Sequence, residues 1–274
     1  MAHYRKLQPY WFSTSPVPSC RPIMHLKFGS KPVVVGSSAE IAKAFLKTHD
    51  VAVADRPKFA AGKYTTYKYS NITWSQYGPY WKQARKMCVT ELFSVKRLES
   101  YEYIRKQELR AFLNDLFVNA NKPIVLKNHF NNLSLNIISR MVFGKKYLEN
   151  SENAIVSPEE FTKMLDELFV LNGVFNIGDF IPWINFLDLQ GYIKRMKVLG
   201  KKFDRFMEHV LDEHIKRRKA VKDYVAEDMV DVLLEIAEDP TLEVKLQRNG
   251  VKAFSQPNKR QRSSPESTLA TLKE

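Results

Sequence analysis

The clearest chemical pattern in the chain is the run Tyr77-Gly78-Pro79-Tyr80-Trp81-Lys82-Gln83-Ala84-Arg85-Lys86. Gly-Pro closes a loop, and a helix is expected to begin near Tyr80. Trp81 and Arg85 are then i and i+4 and share one helical face. An indole N–H and a guanidinium held side by side make a rigid pair of donors for a carboxylate. The competing reading is an arginine stacked on the indole of its own helix neighbour, which needs no ligand. Residue types and spacing alone favour this second reading.

Other candidate chemistry is sparse, and no catalytic residue is assigned. Of the six histidines, only His209 and His214 are close in sequence, and five residues apart places them on different faces of a helix. Glu208-His209 and Glu213-His214 do not make the H-E-x-x-H zinc pattern, so no metal site is expected. The two cysteines, Cys20 and Cys88, provide neither a disulfide framework nor a four-ligand zinc site. There is no G-x-S-x-G, Walker or dinucleotide fingerprint. Asn71-Ile72-Thr73 and Asn132-Leu133-Ser134 match the glycosylation pattern, and with no signal peptide in view they read as chance.

The elements that must position Trp81 and Arg85 are mostly helical. Alternation in Ile23-Met24-His25-Leu26-Lys27-Phe28 reads as a half-buried strand, and Pro32-Val33-Val34-Val35-Gly36 as a second. Gly29-Ser30-Lys31 would join them as a three-residue hairpin loop. Ser37 to Glu40 fits a capping box for the helix carrying Ile41, Ala44, Phe45 and Thr48. Asp50 to Pro79 is a long, irregular stretch rich in aromatic residues, expected to be a packed loop that walls a pocket. Leu109, Phe112, Leu113, Leu116 and Phe117 follow helical spacing, as do Leu133, Ile137, Ile138, Met141 and Val142. Ser157-Pro158-Glu159-Glu160 is a second capping box. The longest predicted helix carries one apolar stripe of Tyr192, Met196, Leu199, Phe203, Phe206 and Val210. A short helix with Val232, Leu233 and Ile236 ends before Pro240. The expected fold class is mainly α with a small N-terminal β-sheet.

The 274 residues are 44% hydrophobic and 27% charged, which excludes a disordered or collagen-like chain. No run reaches the length of a transmembrane helix, and the start lacks the apolar core of a signal peptide. The net charge of +13 is unevenly spread. Gly178 to Lys222 is strongly basic, and Glu227 to Leu246 reverses the sign. That alternation suggests two helices with opposite solvated faces rather than a nucleic-acid patch, and no nucleic-acid motif is present. Residues 257–274 have no aromatic residue and few apolar ones, and are expected to be disordered.

Taken together, these segments resemble a plant microsomal cytochrome P450 of the flavonoid 3'-hydroxylase-like group. The W-x-x-x-R motif of the family's C helix is present as Trp81 and Arg85. IMHLKFG and PVVVGSS are similar to the first strands of the family's small sheet. AEIAKAFLKTHD is similar to helix B and is followed by the Asp55-Arg56-Pro57 turn. ISRMVFGKKY, GDFIPWINFLDLQGYIKRMK and DMVDVLLEIAEDP resemble helix E, the F–G region and the segment before helix I. The resemblance implies the N-terminal half of the P450 fold, helices B to H, in a partial domain over residues 22–256. Residues 1–21 form an atypical start, and 257–274 an unmatched tail.

What the resemblance implies is a haem-thiolate monooxygenase that hydroxylates a small hydrophobic or phenolic plant metabolite with O2. Haem is the implied cofactor, with Trp81 and Arg85 binding a propionate. Residues from Phe59 to Tyr77 and around Phe175 to Phe186 would line substrate access. An NADPH-cytochrome P450 reductase is the implied partner, with Lys82 and Lys86 on its docking surface. The implied location is the cytosolic face of the endoplasmic reticulum membrane. The family's N-terminal anchor, its oxygen-activation motif, its E-x-x-R pair and its cysteine-ligand motif are not found, and neither Cys20 nor Cys88 stands where the ligand is expected. The expectation is therefore a chain cut near the start of helix I and inactive by itself. The alternative is a non-catalytic helical fragment that binds a membrane surface or a protein, cytosolic in the absence of the anchor.

Overall fold

A computed structural model describes residues 22–120, 122–147, 155–242 and 244–256. The expected atypical start and disordered tail lie outside these residues. The chain divides into two compact units, Met1–Asp55 with Phe180–Pro182, and Arg56–Asp179 with Trp183–Glu274.

In the first unit, β1 (Ile23–Phe28) pairs antiparallel with β2 (Lys31–Gly36), Ile23 opposite Gly36 and Phe28 opposite Lys31. Lys31 belongs to the ladder, so the loop is the two residues Gly29 and Ser30 rather than the three expected. Gly29 takes φ +58°, and a Cβ there would run into the Phe180 carbonyl. The Ser30 backbone N–H and hydroxyl both donate to that same carbonyl, at 2.7 and 2.9 Å. The next helix, α1 (Ala39–Lys43), is capped by Ser38, whose hydroxyl accepts from the Ile41 N–H. Ser37, the expected cap, instead donates to the Pro22 carbonyl. A π-helical turn (Ala44–Thr48) and a short α2 (Asp50–Val53) follow.

The second unit is helical. It runs through α3 (Ala60–Thr65), α4 (Pro79–Met87) with a π-helical turn (Cys88–Leu92), α5 (Val95–Ser100), α6 (Glu102–Val118), α7 (Leu126–Phe143), α8 (Pro158–Gly173), α9 (Ile177–Phe180, whose last residue falls in the first unit), α10 (Tyr192–Ala220), α11 (Met229–Glu238) and α12 (Arg248–Ser255). The stretch expected as one long loop therefore contains α2 and α3. Trp74 pins the remainder, its indole N–H donating to Asn172 Oδ1 at 3.0 Å.

The spine is α10. Its predicted stripe is buried at Met196, Leu199, Phe203, Phe206 and Val210. Phe206 meets Phe143, Tyr147 and Phe161 with ring centroids 5.0 to 5.6 Å apart. Each such ring contributes about 1.5–3 kcal/mol through burial. Gly200 lets the Tyr64 carbonyl of α3 press directly on α10, where any Cβ would collide with it. Ser157 caps α8 as predicted, accepting from the Glu160 N–H. Asp228 caps α11, accepting from the Asp231 N–H.

One helix buries only part of its apolar row. The buried residues of α6 are Ile104 and Glu108, while Phe117 is 81% exposed and Leu113 is also outward. Glu108 binds Arg140 at 2.7 Å and Lys146 at 3.3 Å. A buried carboxylate must find its cations; Leu109, Phe112 and Leu116 of the apolar row stay half-buried, and Leu113 and Phe117 fall on the outer edge. The outward row adjoins Val125, Leu126 and Phe130 of the next helix region, linked by the Phe112–Phe130 ring contact. Among the described residues, no helix is long and apolar enough to cross a membrane.

Candidate functional site

The helix carrying Trp81 and Arg85 begins one residue before the expected position, with Pro79 in its first turn, where a missing N–H costs nothing. Ala84 and Met87 bury one side of α4. Gln83 anchors another through paired hydrogen bonds with the Val244 backbone, donating to its carbonyl and accepting from its N–H.

Trp81 is half-buried, and its Nε1 is fully buried with no hydrogen-bond partner. A buried N–H left unpaired costs about 1–3 kcal/mol, so the atom is poised for an acceptor. The Arg85 guanidinium lies 5.5 Å from the Trp81 ring centroid. The self-stack weighed from the sequence is therefore formed, and it still leaves the indole N–H unused. Arg85 is exposed, and no carboxylate among the described residues pairs with it. A second guanidinium, Arg56, lies 5.3 Å from the same ring, and Tyr77 packs beside it at 5.5 Å. Arg56 has no role in the sequence beyond the Asp55-Arg56-Pro57 turn that forms part of the resemblance. Two guanidiniums thus flank one indole whose N–H has no hydrogen-bond partner. Lys82 and Lys86 are exposed on the same helix. Cys88 is buried in the following π turn, and burial pushes its thiol up to about 11.

A separate ionic cluster ties α10 to α11. His214, which is 2% exposed, directs Nδ1 at the Val210 carbonyl (2.7 Å) and Nε2 at Asp228 Oδ2 (2.9 Å). Both nitrogens face acceptors, which favours the imidazolium. Burial opposes the charge, but Asp228, the Val210 carbonyl and Asp231 outweigh it and raise the histidine above its usual range. Arg217 reaches Asp228 at 3.2 Å and Asp231 at 2.8 Å, and Tyr224 donates to Asp231 at 2.7 Å. His214, Asp228 and Asp231 have atoms spaced closely enough to hold a metal ion. The Arg217 guanidinium already neutralises those carboxylates, so the group is built as a salt-bridge network. The predicted basic and acidic stretches meet again where Arg218 pairs with Glu238 at 3.1 Å.

Residues 17–260 match the family model for cytochrome P450, and the chain belongs to that family. It is 42% identical over 253 residues to a maize trimethyltridecatetraene synthase, covering 86% of this chain and 45% of that protein. It is 38% identical over 194 residues to a petunia flavonoid 3'-monooxygenase, covering 70% of this chain and 38% of that protein. A zebrafish cytochrome P450 solved with abiraterone superposes with a TM-score of 0.64 at 20% identity, over 85% of this chain and 50% of the other. The chain thus spans about half the length of the curated relatives it matches. The fold is the N-terminal portion of the P450 fold, mainly α with a small two-stranded sheet, as the resemblance implied.

The family's cofactor is haem. The unpaired Trp81 N–H beside the Arg85 guanidinium fits the carboxylate of such a group. The two fit its edge only, since the buried Cys88 thiol belongs to the packed interior.

Proposed function

We propose that this chain forms the propionate-holding and substrate-access portion of a haem-thiolate monooxygenase acting on a small hydrophobic or phenolic plant metabolite. The observation that carries the reading is the buried, unpartnered Trp81 Nε1 beside Arg85. In this reading Trp81 donates to a propionate oxygen, and Arg85 neutralises its charge. A haem whose propionate is held by Trp81 and Arg85 would supply insertion of one oxygen atom of O2 into the substrate. The chain's own residues orient the cofactor's edge and wall the route to it, through Phe59 to Tyr77 and the region around Phe175 to Phe186.

The exposed Lys82 and Lys86 suit an acidic electron-donor surface, that of an NADPH-dependent reductase. Trp183 is 69% exposed and Phe186 is exposed too, which suits contact with a lipid surface at the cytosolic face of the endoplasmic reticulum. Residues 22–256 would be one partial P450 domain, flanked by 1–21 and 257–274. The relatives' names span a branched hydrocarbon tetraene and flavonoids, so the substrate class stays at small apolar or phenolic compounds.

The test compares binding of haem and of its propionate diester to the purified chain, read by quenching of tryptophan fluorescence. The free acid should bind more tightly. That preference should fall in Trp81→Phe and vanish in the Trp81→Phe/Arg85→Ala pair. Equal binding of acid and ester, or a preference that survives both substitutions, would refute the assignment.

A further inference from the structure

Lys252 stands in the second turn of α12 and is only 3% exposed. Its ammonium donates to Asp204 Oδ1 and Glu208 Oε1, both at 2.6 Å and both on α10. The same Nζ lies 4.8 Å from the centroid of the Tyr67 ring. A buried ammonium of this kind is tolerated because two carboxylates and a π face replace its water. Arg248 stands one turn earlier and binds Glu208 and Asp212, so it docks α12 on α10 without reaching Tyr67.

The Tyr67 side of this contact is unusual in its backbone. Tyr67, Lys68 and Tyr69 take φ of 50°, 58° and 67°, three consecutive non-glycine residues in the left-handed region. Each conformation is unfavourable for an L-residue, and a run of them persists only where the surroundings hold it. Local bonds contribute: the Lys68 N–H donates to Lys63, the Tyr69 N–H to Gly62, and the Ser70 hydroxyl to Tyr67. The Tyr69 ring closes over Gly62, leaving no room there for a Cβ.

The Tyr67 hydroxyl is buried and faces the Asp204 carboxylate. Burial, then the charge of Asp204 and a hydrogen bond towards it, then the charge of Glu208, raise its phenol far above the usual range, so it stays neutral. The ring is therefore held by packing, by its face towards Lys252 and by its hydroxyl towards Asp204.

We propose that Lys252, charge-balanced by Asp204 and Glu208, is a clasp that holds the Tyr67 ring and keeps the strained Tyr67–Tyr69 turn closed. The order of residues 60–74 is then set by an ion pair between α10 and α12, two helices distant in sequence from that segment. The clasp needs nothing from the haem chemistry proposed above. It deepens that reading in one respect, since the segment it holds is the one assigned to substrate access, and its test reads backbone order rather than turnover or haem binding.

The experiment is hydrogen exchange of the full chain, resolved by peptide, for Lys252→Met, Tyr67→Leu, the double variant, and Lys252→Met/Lys68→Gly. Lys252→Met should speed exchange in residues 60–74 by about ten-fold or more, while peptides of α6 and α7 change by less than about two-fold. Tyr67→Leu should do the same, and the double variant should add little, because both remove one contact. Lys68 is exposed, and glycine adopts its left-handed backbone freely, so Lys68→Gly should restore protection in the Lys252→Met chain. Unchanged exchange in 60–74, equal loosening of α6 and α7, or fully additive single variants would each overturn the clasp. Should Lys252→Met fail to fold, Tyr67→Leu with and without Lys68→Gly makes the same comparison with the ion pair intact: local loosening rescued by glycine supports the clasp, and its absence refutes it.

Discussion

Replacing His214 with phenylalanine removes the centre of the ionic cluster between α10 and α11 while keeping an aromatic side chain of similar size. The imidazolium gives up two hydrogen bonds, to Val210 and Asp228, the second between charged partners. A hydrogen bond to a charged group contributes about 1.5–3 kcal/mol, and Asp228 keeps Arg217, so the expected loss is about 3 kcal/mol near pH 6. The pH dependence has a definite sign. The pKa of His214 is raised by folding above its ordinary 6.5. Its contribution is therefore complete below about pH 6.5 and is lost as pH rises through the folded-state pKa, by about 1.4 kcal/mol per unit of elevation. Arg217 stays charged throughout, and Asp228, Asp231, Glu213 and Tyr224 remain in both proteins, so subtraction isolates the histidine. The assay is urea unfolding followed by far-UV circular dichroism from about pH 5.5 to about pH 9. The margin of the wild type over His214→Phe should be largest at the acidic end and shrink towards the alkaline end. A margin that is flat, or that grows with pH, would refute the doubly protonated histidine.

Gly144→Ala should destabilise the chain by about 1–3 kcal/mol in thermal unfolding. The glycine has φ +73°, and a Cβ there would sit 2.6 Å from Asp228 Oδ2. Trp81→Phe should change the stability of the cofactor-free chain by less than about 1 kcal/mol in the same assay, because the N–H it removes has no protein partner. Cys88 should resist an aromatic disulfide reagent at about pH 8 until denaturant is added, since its buried thiol titrates near 11.

Periodicity made the helical elements legible because burial is a linear record of one face. The α10 stripe was visible for that reason, and the Ser157 cap was visible because its chemistry is local. Errors came where a local signal had two neighbouring solutions. Ser37 and Ser38 could each cap α1, and the Pro22 carbonyl decided by taking the Ser37 hydroxyl. Lys31 could be loop or strand, and pairing with Phe28 decided. For α6 the apolar row is half-buried at Leu109, Phe112 and Leu116, while the burial of Glu108 against Arg140 and Lys146 is information no single-helix pattern contains. At the site, Trp81 and Arg85 were legible because i, i+4 spacing fixes a shared face. Arg56 was not, since its approach to the indole depends on how a loop folds back over 25 residues. The His214 cluster was hidden in the same way, because its partners lie on another helix.

The outward apolar row of α6, with Leu113 and Phe117 beside Val125, Leu126 and Phe130, also governs how the chain behaves in a crowded solution. Sticky, water-facing side chains of this kind find one another as concentration rises, whatever the net positive charge does to keep copies apart. Expressed by itself, the chain should have a low solubility ceiling and a strong affinity for chaperones, and its cellular lifetime would then be set by quality control rather than by its folding free energy.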